Sequence, residues 1–558
     1  MNQSKWYFLL LTAATVVGSQ PTAAQLTPDN TLGAENSVVV PMPPLLDEIQ
    51  GGAVRGTNLF HSFLEFNVEA GRSVYFVNPA GIQNILTRVT GNNASDILGR
   101  LGVSGNANLW LLNPNGINFG QNASLDVRGS FVATTADEIS LGPNGGFSAT
   151  NPQDSQLLAI QPGVVFDNSR AADYGEIKSF ADLGVPAGQT LSLQGSTVEV
   201  RGSLTAPGGR VEVLGDRVGL FKDGKIDVSG DTGGGTALLG GDYQGQGEIP
   251  RASRTYISPN AKINADALTN GDGGRVIVWS DEITRFYGEI SARGGSASGD
   301  GGFVEVSGKE QLIFEGQVDT GSDTGNLGTL LLDPVNIEIR SGNGDGDDNG
   351  GDANAFGNNP AGDNGQVLAG DLAPTVLYET ELEGQAANSN IILQATNDIT
   401  IQNLVDNLLN LPVGPGTIEF IADADNDGTG DFTMQDPTDT IKTNGRAITI
   451  SGANLTLGGI DSSGFLAEGG AITLNASGDL VVDTLNSSSI FGNEAEGGAI
   501  RLTAEGKISV TGALNSSSVS FNNTGAGGEI TLKASGDIST ANLLLSESRS
   551  FFGDAGVG

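Results

Sequence analysis

Apolar and polar residues alternate with a period of two over short runs through most of this chain, and helical periodicity is missing. The clearest repeat lies at the C-terminal end, where Gly469-Gly470-Ala471-Ile472-Thr473-Leu474, Gly497-Gly498-Ala499-Ile500-Arg501-Leu502 and Gly527-Gly528-Glu529-Ile530-Thr531-Leu532 recur at spacings of 28 and 30. Each unit runs from a glycine pair into an alternating strand, a small polar turn such as Ala476-Ser477-Gly478-Asp479, and a second β-prone run. A fixed period of this size marks stacked units. Ile472, Ile500 and Ile530 hold equivalent positions, as do Leu474, Leu502 and Leu532, so successive coils are expected to stack like on like along one interior face. The motif also appears upstream as Gly208-Gly209-Arg210-Val211-Glu212-Val213, Gly273-Gly274-Arg275-Val276-Ile277-Val278 and Gly301-Gly302-Phe303-Val304-Glu305-Val306. A lone hairpin of this composition is unstable, whereas stacked coils pair every strand with the coil above and below. The pattern therefore predicts a β-solenoid beyond about residue 190, with roughly a dozen coils and, at about 4.8 Å per coil, a rod section of around 60 Å.

Three stretches fall outside this pattern. Lys5, the apolar run Trp6 to Val17 and the small residues through Thr22-Ala23-Ala24 read as a secretory signal cleaved before Gln25. No other segment approaches the roughly 20 apolar residues of a membrane span, so the mature chain is expected to have none. The stretch 341–366 is crowded with Gly, Asp and Asn, too poor in apolar residues to order itself, and reads as a protruding insertion. At the other end, Phe551-Phe552-Gly553-Asp554 repeats the lead-in to a glycine pair just before Gly558, which predicts repeats continuing in a longer protein.

Charge and composition narrow the chemistry. There are 65 acidic against 27 basic side chains, a formal charge of −38, which repels nucleic-acid phosphates and sets nucleic-acid binding aside. Cysteine is absent although the leader points to export, so stability rests on stacking and backbone hydrogen bonds. The run Asp423-Ala424-Asp425-Asn426-Asp427-Gly428-Thr429-Gly430-Asp431 places carboxylates at positions 1, 3, 5 and 9 and glycine at 6. That is the front of a calcium loop, because alternating carboxylates converge on one hard cation and glycine permits the sharp bend. Met434 stands where the bidentate Glu is expected, with Asp436 two residues later as its substitute in a looser loop, and no helix pattern flanks it. The two readings are a solenoid-borne loop of weak calcium affinity with Asp423, Asp425, Asp427 and Asp431 as ligands, and an unliganded acidic turn. No cofactor is required. His61 is the sole histidine, and with no nucleophile or base marked beside it a structural role is expected. Gly233-Gly234-Gly235 is no phosphate loop, since no Gly-Lys-Ser/Thr follows.

The most informative short motif is Asn113-Pro114-Asn115-Gly116-Ile117-Asn118, after Leu109-Trp110-Leu111-Leu112. Asn-Pro fixes one backbone angle and Asn-Gly tolerates a positive φ, so a sharp turn is expected between two strands. Together with Ser62-Phe63-Leu64-Glu65-Phe66-Asn67-Val68, Val74-Tyr75-Phe76-Val77-Asn78-Pro79-Ala80-Gly81-Ile82 and Ile85-Leu86-Thr87-Arg88-Val89-Thr90-Gly91, it makes residues 31 to 165 resemble the N-terminal secretion domain of the filamentous haemagglutinin type. Asn-Pro-Asn-Leu, a second signature of that family, is absent. The resemblance implies a right-handed parallel β-helix of the pectin-lyase-like kind with an N-terminal cap. It also implies recognition in the periplasm by an outer-membrane Omp85-type transporter with POTRA domains. The secretion-motif turn is then Asn113, Pro114, Asn115, Gly116 and Ile117, with Asn113 and Asn115 either shaping the turn or contacting the transporter.

The expected division is a signal peptide at 1–24, a two-partner secretion domain at 25–165, β-helix repeats at 166–340, the acidic insertion at 341–366 and further repeats at 367–558. The expected function is that of a secreted or cell-surface protein, reached through the periplasm and outer membrane, acting in adhesion or cell-cell contact toward a host or cell-surface receptor, and not an enzyme. A pectate-lyase-like polysaccharide-active β-helix is the alternative, since it shares the architecture and uses clustered aspartates, calcium and an Arg or Lys base. The Asp423 loop has no base nearer downstream than Lys442 and Arg446, which favours binding over catalysis.

Overall fold

The glycine pairs explain the architecture locally. A Cβ built on Gly498 would lie 2.3 Å from the Gly470 carbonyl oxygen, and one on Gly528 would lie 2.1 Å from that of Gly498. Successive coils thus approach too closely there for any side chain. Buried serines satisfy the carbonyls at this corner: Ser462, Ser487 and Ser516 donate through Oγ to the oxygens of Gly470, Gly498 and Gly528 at 2.7, 2.6 and 2.6 Å. The strand after each pair then turns its Ile and Leu inward. Ile472 pairs in parallel with Ile500 and Ile500 with Ile530, and Leu474, Leu502 and Leu532 follow the same register. Each fully buried member contributes about 2 kcal/mol through area removed from water.

The computed structural model describes residues 26–140, 146–152, 166–167, 175–342, 375–520 and 525–550. The first strand of each coil joins one 18-stranded sheet. Two eight-stranded sheets, from Ser95–Ile97 to Gln311–Phe314 and from Ile337–Arg340 to Ile538–Thr540, make a second face. Shorter sheets close the third side, and coil-to-coil pairings are parallel throughout. The fold is a right-handed parallel β-helix, the hand that parallel crossovers impose. One core runs along its axis, from Ile49 to Leu514.

The N-terminal end is closed by antiparallel pieces. Ser37–Met42 pairs with Leu46–Gly51, Leu26–Pro28 pairs against Asn58–Phe66, and Ala53–Arg55 folds back on the same strand. Coiling begins at once, because Asn58–Phe66 pairs in parallel with Asn84–Val89 and that strand with Asn108–Leu112. These early coils use an asparagine ladder in the place of glycine pairs. Asn84 donates to Asn58 Oδ1 at 2.8 Å, Asn108 to Asn84 Oδ1 at 2.9 Å, and the Ser130 amide to Asn108 Oδ1 at 2.8 Å. The signal segment 1–24, and all but Ser341 and Gly342 of the expected insertion, lie outside the described residues.

Candidate functional site

Asn108–Leu112 delivers the chain into the Asn-Pro-Asn-Gly turn. Leu109 and Leu111 enter the axial core. Leu112 and Trp110 instead join a second cluster on the outer face, with Phe60, Leu86, Ile139 and Phe147. That cluster is covered by the antiparallel strands Glu138–Ser140 and Gly146–Ser148, so both faces of the strand are dry and its alternation disappears from the sequence.

The turn is stitched on both sides. Asn113 is fully buried; its Nδ2 donates to the Asn93 carbonyl and to Ser95 Oγ, each at 3.0 Å, on the preceding coil. Its Oδ1 accepts from the Asn115 amide at 3.0 Å, an Asx turn. Asn115 is exposed, and its Nδ2 reaches the Gly91 carbonyl at 2.8 Å. Gly116 sits at φ +121°, a region that only glycine occupies without strain. On the next coil Gly175 donates to the Pro114 carbonyl at 2.8 Å, and Ile117 donates to Glu176 at 3.0 Å.

A buried ionic clasp ties the cap to these coils. Arg88 is fully buried and donates from Nε to Ser62 Oγ at 3.0 Å, from Nη2 to Thr31 Oγ1 at 2.9 Å and from Nη1 to the Ser148 carbonyl. Its guanidinium lies 4.5 Å from the Phe147 ring centroid. Burial lowers its pKa to about 10, which leaves the charge in place at neutral pH. Asp29 is the counter-charge, accepting from Ser62 Oγ at 2.8 Å and Thr90 Oγ1 at 2.5 Å. Burial works to raise the Asp29 pKa, and the hydrogen bonds from Thr31, Thr90 and Ser62 overcome it, so the group ends below its ordinary value. Nothing local in the sequence marks Arg88 for this role, because its partners Thr31, Ser62 and Ser148 are far away along the chain. His61 lies beside this clasp, fully buried, with Nδ1 3.0 Å from Ser37 Oγ and its ring near Phe63 and Phe76. Burial alone pushes its pKa down to about 3, so it is neutral and structural in its contacts.

The acidic loop bulges between strands Ile418–Ile421 and Phe432–Met434. Carboxylate oxygens of Asp423, Asp425 and Asp427 lie within 4.8 Å of one another. Asp423 already accepts the Gly428 amide at 3.1 Å, and Asp427 Oδ1 accepts Thr429 Oγ1 at 2.5 Å. Asp431 is not part of this group: its Oδ1 accepts the Asn454 amide at 2.9 Å on the next coil. Met434 is buried in the axial core, where it offers no oxygen. The three clustered carboxylates are the ones that would hold a divalent cation, a partial shell against the six to eight oxygens calcium takes. Of the bases considered near the loop, Arg446 is fully buried, donating to the carbonyls of Gly416 at 2.6 Å and Ser389 at 2.8 Å. The structure instead brings Arg251 and Lys309 into a groove that Asp425 also lines.

The cap, the clasp and the turn all fall within residues 24–239, which match the family model described as the TPS secretion domain. The chain carries a two-partner secretion domain. Over 114 residues it is 32% identical to the heme/hemopexin-binding protein of Haemophilus influenzae (strain ATCC 51907 / DSM 11121 / KW20 / Rd), a match covering 20% of this chain and 12% of that protein's length. The crystal structure of the HMW1 secretion domain from Haemophilus influenzae aligns with a TM-score of 0.43 at 16% identity, covering 77% of this chain and 96% of that one. The matched residues run from the antiparallel cap through the coil strand Thr236–Leu239. The matched family model describes a secretion domain and not an enzyme. Among the described residues no helix is long and apolar enough to cross a membrane.

Proposed function

We propose that this exoprotein is exported through an outer-membrane β-barrel of the Omp85 type bearing periplasmic POTRA domains, and that its coils present a long outer surface for adhesion or cell-cell contact. The observation that carries the reading is the coincidence of the secretion-domain match with the capped end of the β-helix. Strand Ser37–Met42 is the terminal strand of its sheet and leaves Val38 and Met42 exposed. A terminal strand of this kind suits recognition by strand addition. Each strand pairs with its neighbour one coil away, so coils emerging outside a pore fold one upon the last and oppose backsliding. The test is the amount of chain outside a Gram-negative host with and without a co-expressed transporter from the same source. Release only with the transporter is expected; equal release without it sinks the reading.

The polysaccharide-active alternative draws on one observation, the approach of Arg251 and Lys309 to Asp425 in one groove. Incubation with acidic and neutral polysaccharides in calcium, followed by end-group analysis, separates the two. The binding reading predicts no new ends.

A further inference from the structure

The groove that Lys309 lines lies at one corner of the stacked coils. Between the large sheet and the second face, neighbouring coils turn in two residues, Gly215-Asp216, Asp281-Glu282 and Lys309-Glu310. In the coil that begins with Thr236–Leu239, the corner is replaced by residues 240–253. This loop folds back over the outward side chains Leu238, Ile277 and Trp279, which make a small core of their own with Ile249 and Phe303. The loop is fixed in place. A Cβ on Gly245 would lie 2.7 Å from the Trp279 ring, and Gln244 is held at φ 51°. The Gln244 amide donates to Glu305 at 3.1 Å and its Nε2 to Asp333 Oδ2 at 2.9 Å. Arg251 closes the far side, with Nε 3.0 Å from Asp281 Oδ2 and Nη1 3.1 Å from the Gly245 carbonyl.

A cavity of about 300 Å³ remains between this loop and the corners of the following coils. Trp279 and Pro334 form its apolar wall, and Asp333, Gln394 and Asp425 supply acceptors. Lys309 is exposed at its rim, and its ammonium has no ion pair or hydrogen bond among the described residues. The charges decide what fits. Arg251 is already neutralised by Asp281, leaving one free cation against two carboxylates. A polyanion is repelled, and an apolar ligand would bury these polar groups unpaired. A neutral polyol satisfies all of them, because its hydroxyls donate to carboxylate and amide oxygens and accept from the ammonium. The volume stands at the small end of ligand pockets and suits one or two sugar rings.

We propose that this groove binds a neutral mono- or disaccharide, held by Lys309, Asp333, Gln394 and Asp425 beneath the 240–253 loop. The site deepens the surface-contact reading and rests on it only for its place outside the cell. Its test uses purified full chain, so a failure of export and a failure of binding are read separately. Saturation-transfer NMR with glucose, galactose, N-acetylglucosamine and lactose is expected to show saturable binding of at least one, with Kd on the order of 1 mM. Lys309→Ala and Asp425→Ala, both at exposed side chains, are expected to weaken it about tenfold, while Lys533→Ala on a distant coil leaves it unchanged. No saturable binding of any of the four, binding untouched by both groove substitutions, or stronger binding of a sulfated sugar would each overturn the proposal.

Discussion

The Asn113 side chain is enclosed and fully engaged, with both donors on the preceding coil and its oxygen on Asn115. Asn113→Ala leaves Ser95 Oγ and a backbone carbonyl short of a partner in a dry corner, an expected cost of about 2–3 kcal/mol in urea unfolding. Asn115→Ala removes an exposed bond to Gly91 and is expected to cost about 1 kcal/mol. If these amides act by shaping the turn, secretion falls in the same order as stability. An Asn115→Ala chain that is stable yet retained would assign that side chain to the transporter instead. His61 sets a pH dependence whose sign follows from its environment. Its ordinary pKa is 6.5 and its buried one about 3, so the unfolded chain gains a proton that the folded domain refuses between these values. Stability is therefore lost as pH falls through that window, by about 3 kcal/mol at pH ~4. His61→Gln is expected to flatten the wild-type difference between pH ~7 and ~4 measured by denaturant unfolding. The turn was legible because Asn-Pro and Asn-Gly are local signals. The Arg88 clasp was not, because Asp29, Thr31, Ser62 and Ser148 meet it only once the cap, two coils and the covering hairpin have assembled.

At the scale of elements, the glycine pair is the unit that sets coil spacing. Gly498→Ala forces a methyl against the Gly470 carbonyl and is expected to cost at least about 2 kcal/mol, seen as a lower thermal midpoint. The pairs and the Ile/Leu register were readable because every C-terminal coil repeats them. Gly234-Gly235 shows the same close approach, with the Gly209 oxygen 2.3 Å from a Cβ on Gly235, although the run stood apart from the repeats in the sequence. The 240–253 loop that follows it stretches the interval to the next pair and hides the period. The coils before residue 190 were hidden for two reasons. Their ladder is Asn58, Asn84 and Asn108 instead of glycine, and an outer layer covers Phe60, Leu86 and Leu112, which erases alternation. Beneath the loop, Glu305 is buried with Gln244 above it, and burial raises its pKa to about 8. The unfolded chain ionises from its ordinary 4.5 upward while the folded one stays neutral, so this group costs stability as pH rises toward 8. Glu305→Gln keeps an acceptor for Gln244 and is expected to stabilise the chain by roughly 4 kcal/mol at pH ~8, with little effect at pH ~4.

Across the described residues, one continuous core and parallel pairing between adjacent coils make each coil depend on its neighbours alone. The absence of cysteine leaves the chain without a covalent crosslink, and its charge of −38 makes it strongly acidic. The 240–253 loop follows directly on the secretion-domain match at 24–239, and the groove beneath it is completed by residues as far on as Asp425. The groove was invisible in the sequence because Arg251, Lys309, Asp333 and Asp425 are brought together only by stacking one coil corner upon the next. On the proposed reading the export address resides in the capped N-terminal coils. Its place is tested most directly in cells that express the transporter, by comparing extracellular release of the full chain with that of a variant lacking residues 26–239 behind the same leader. Release of the full chain and retention of the shortened one are expected; comparable release of both would place the address elsewhere.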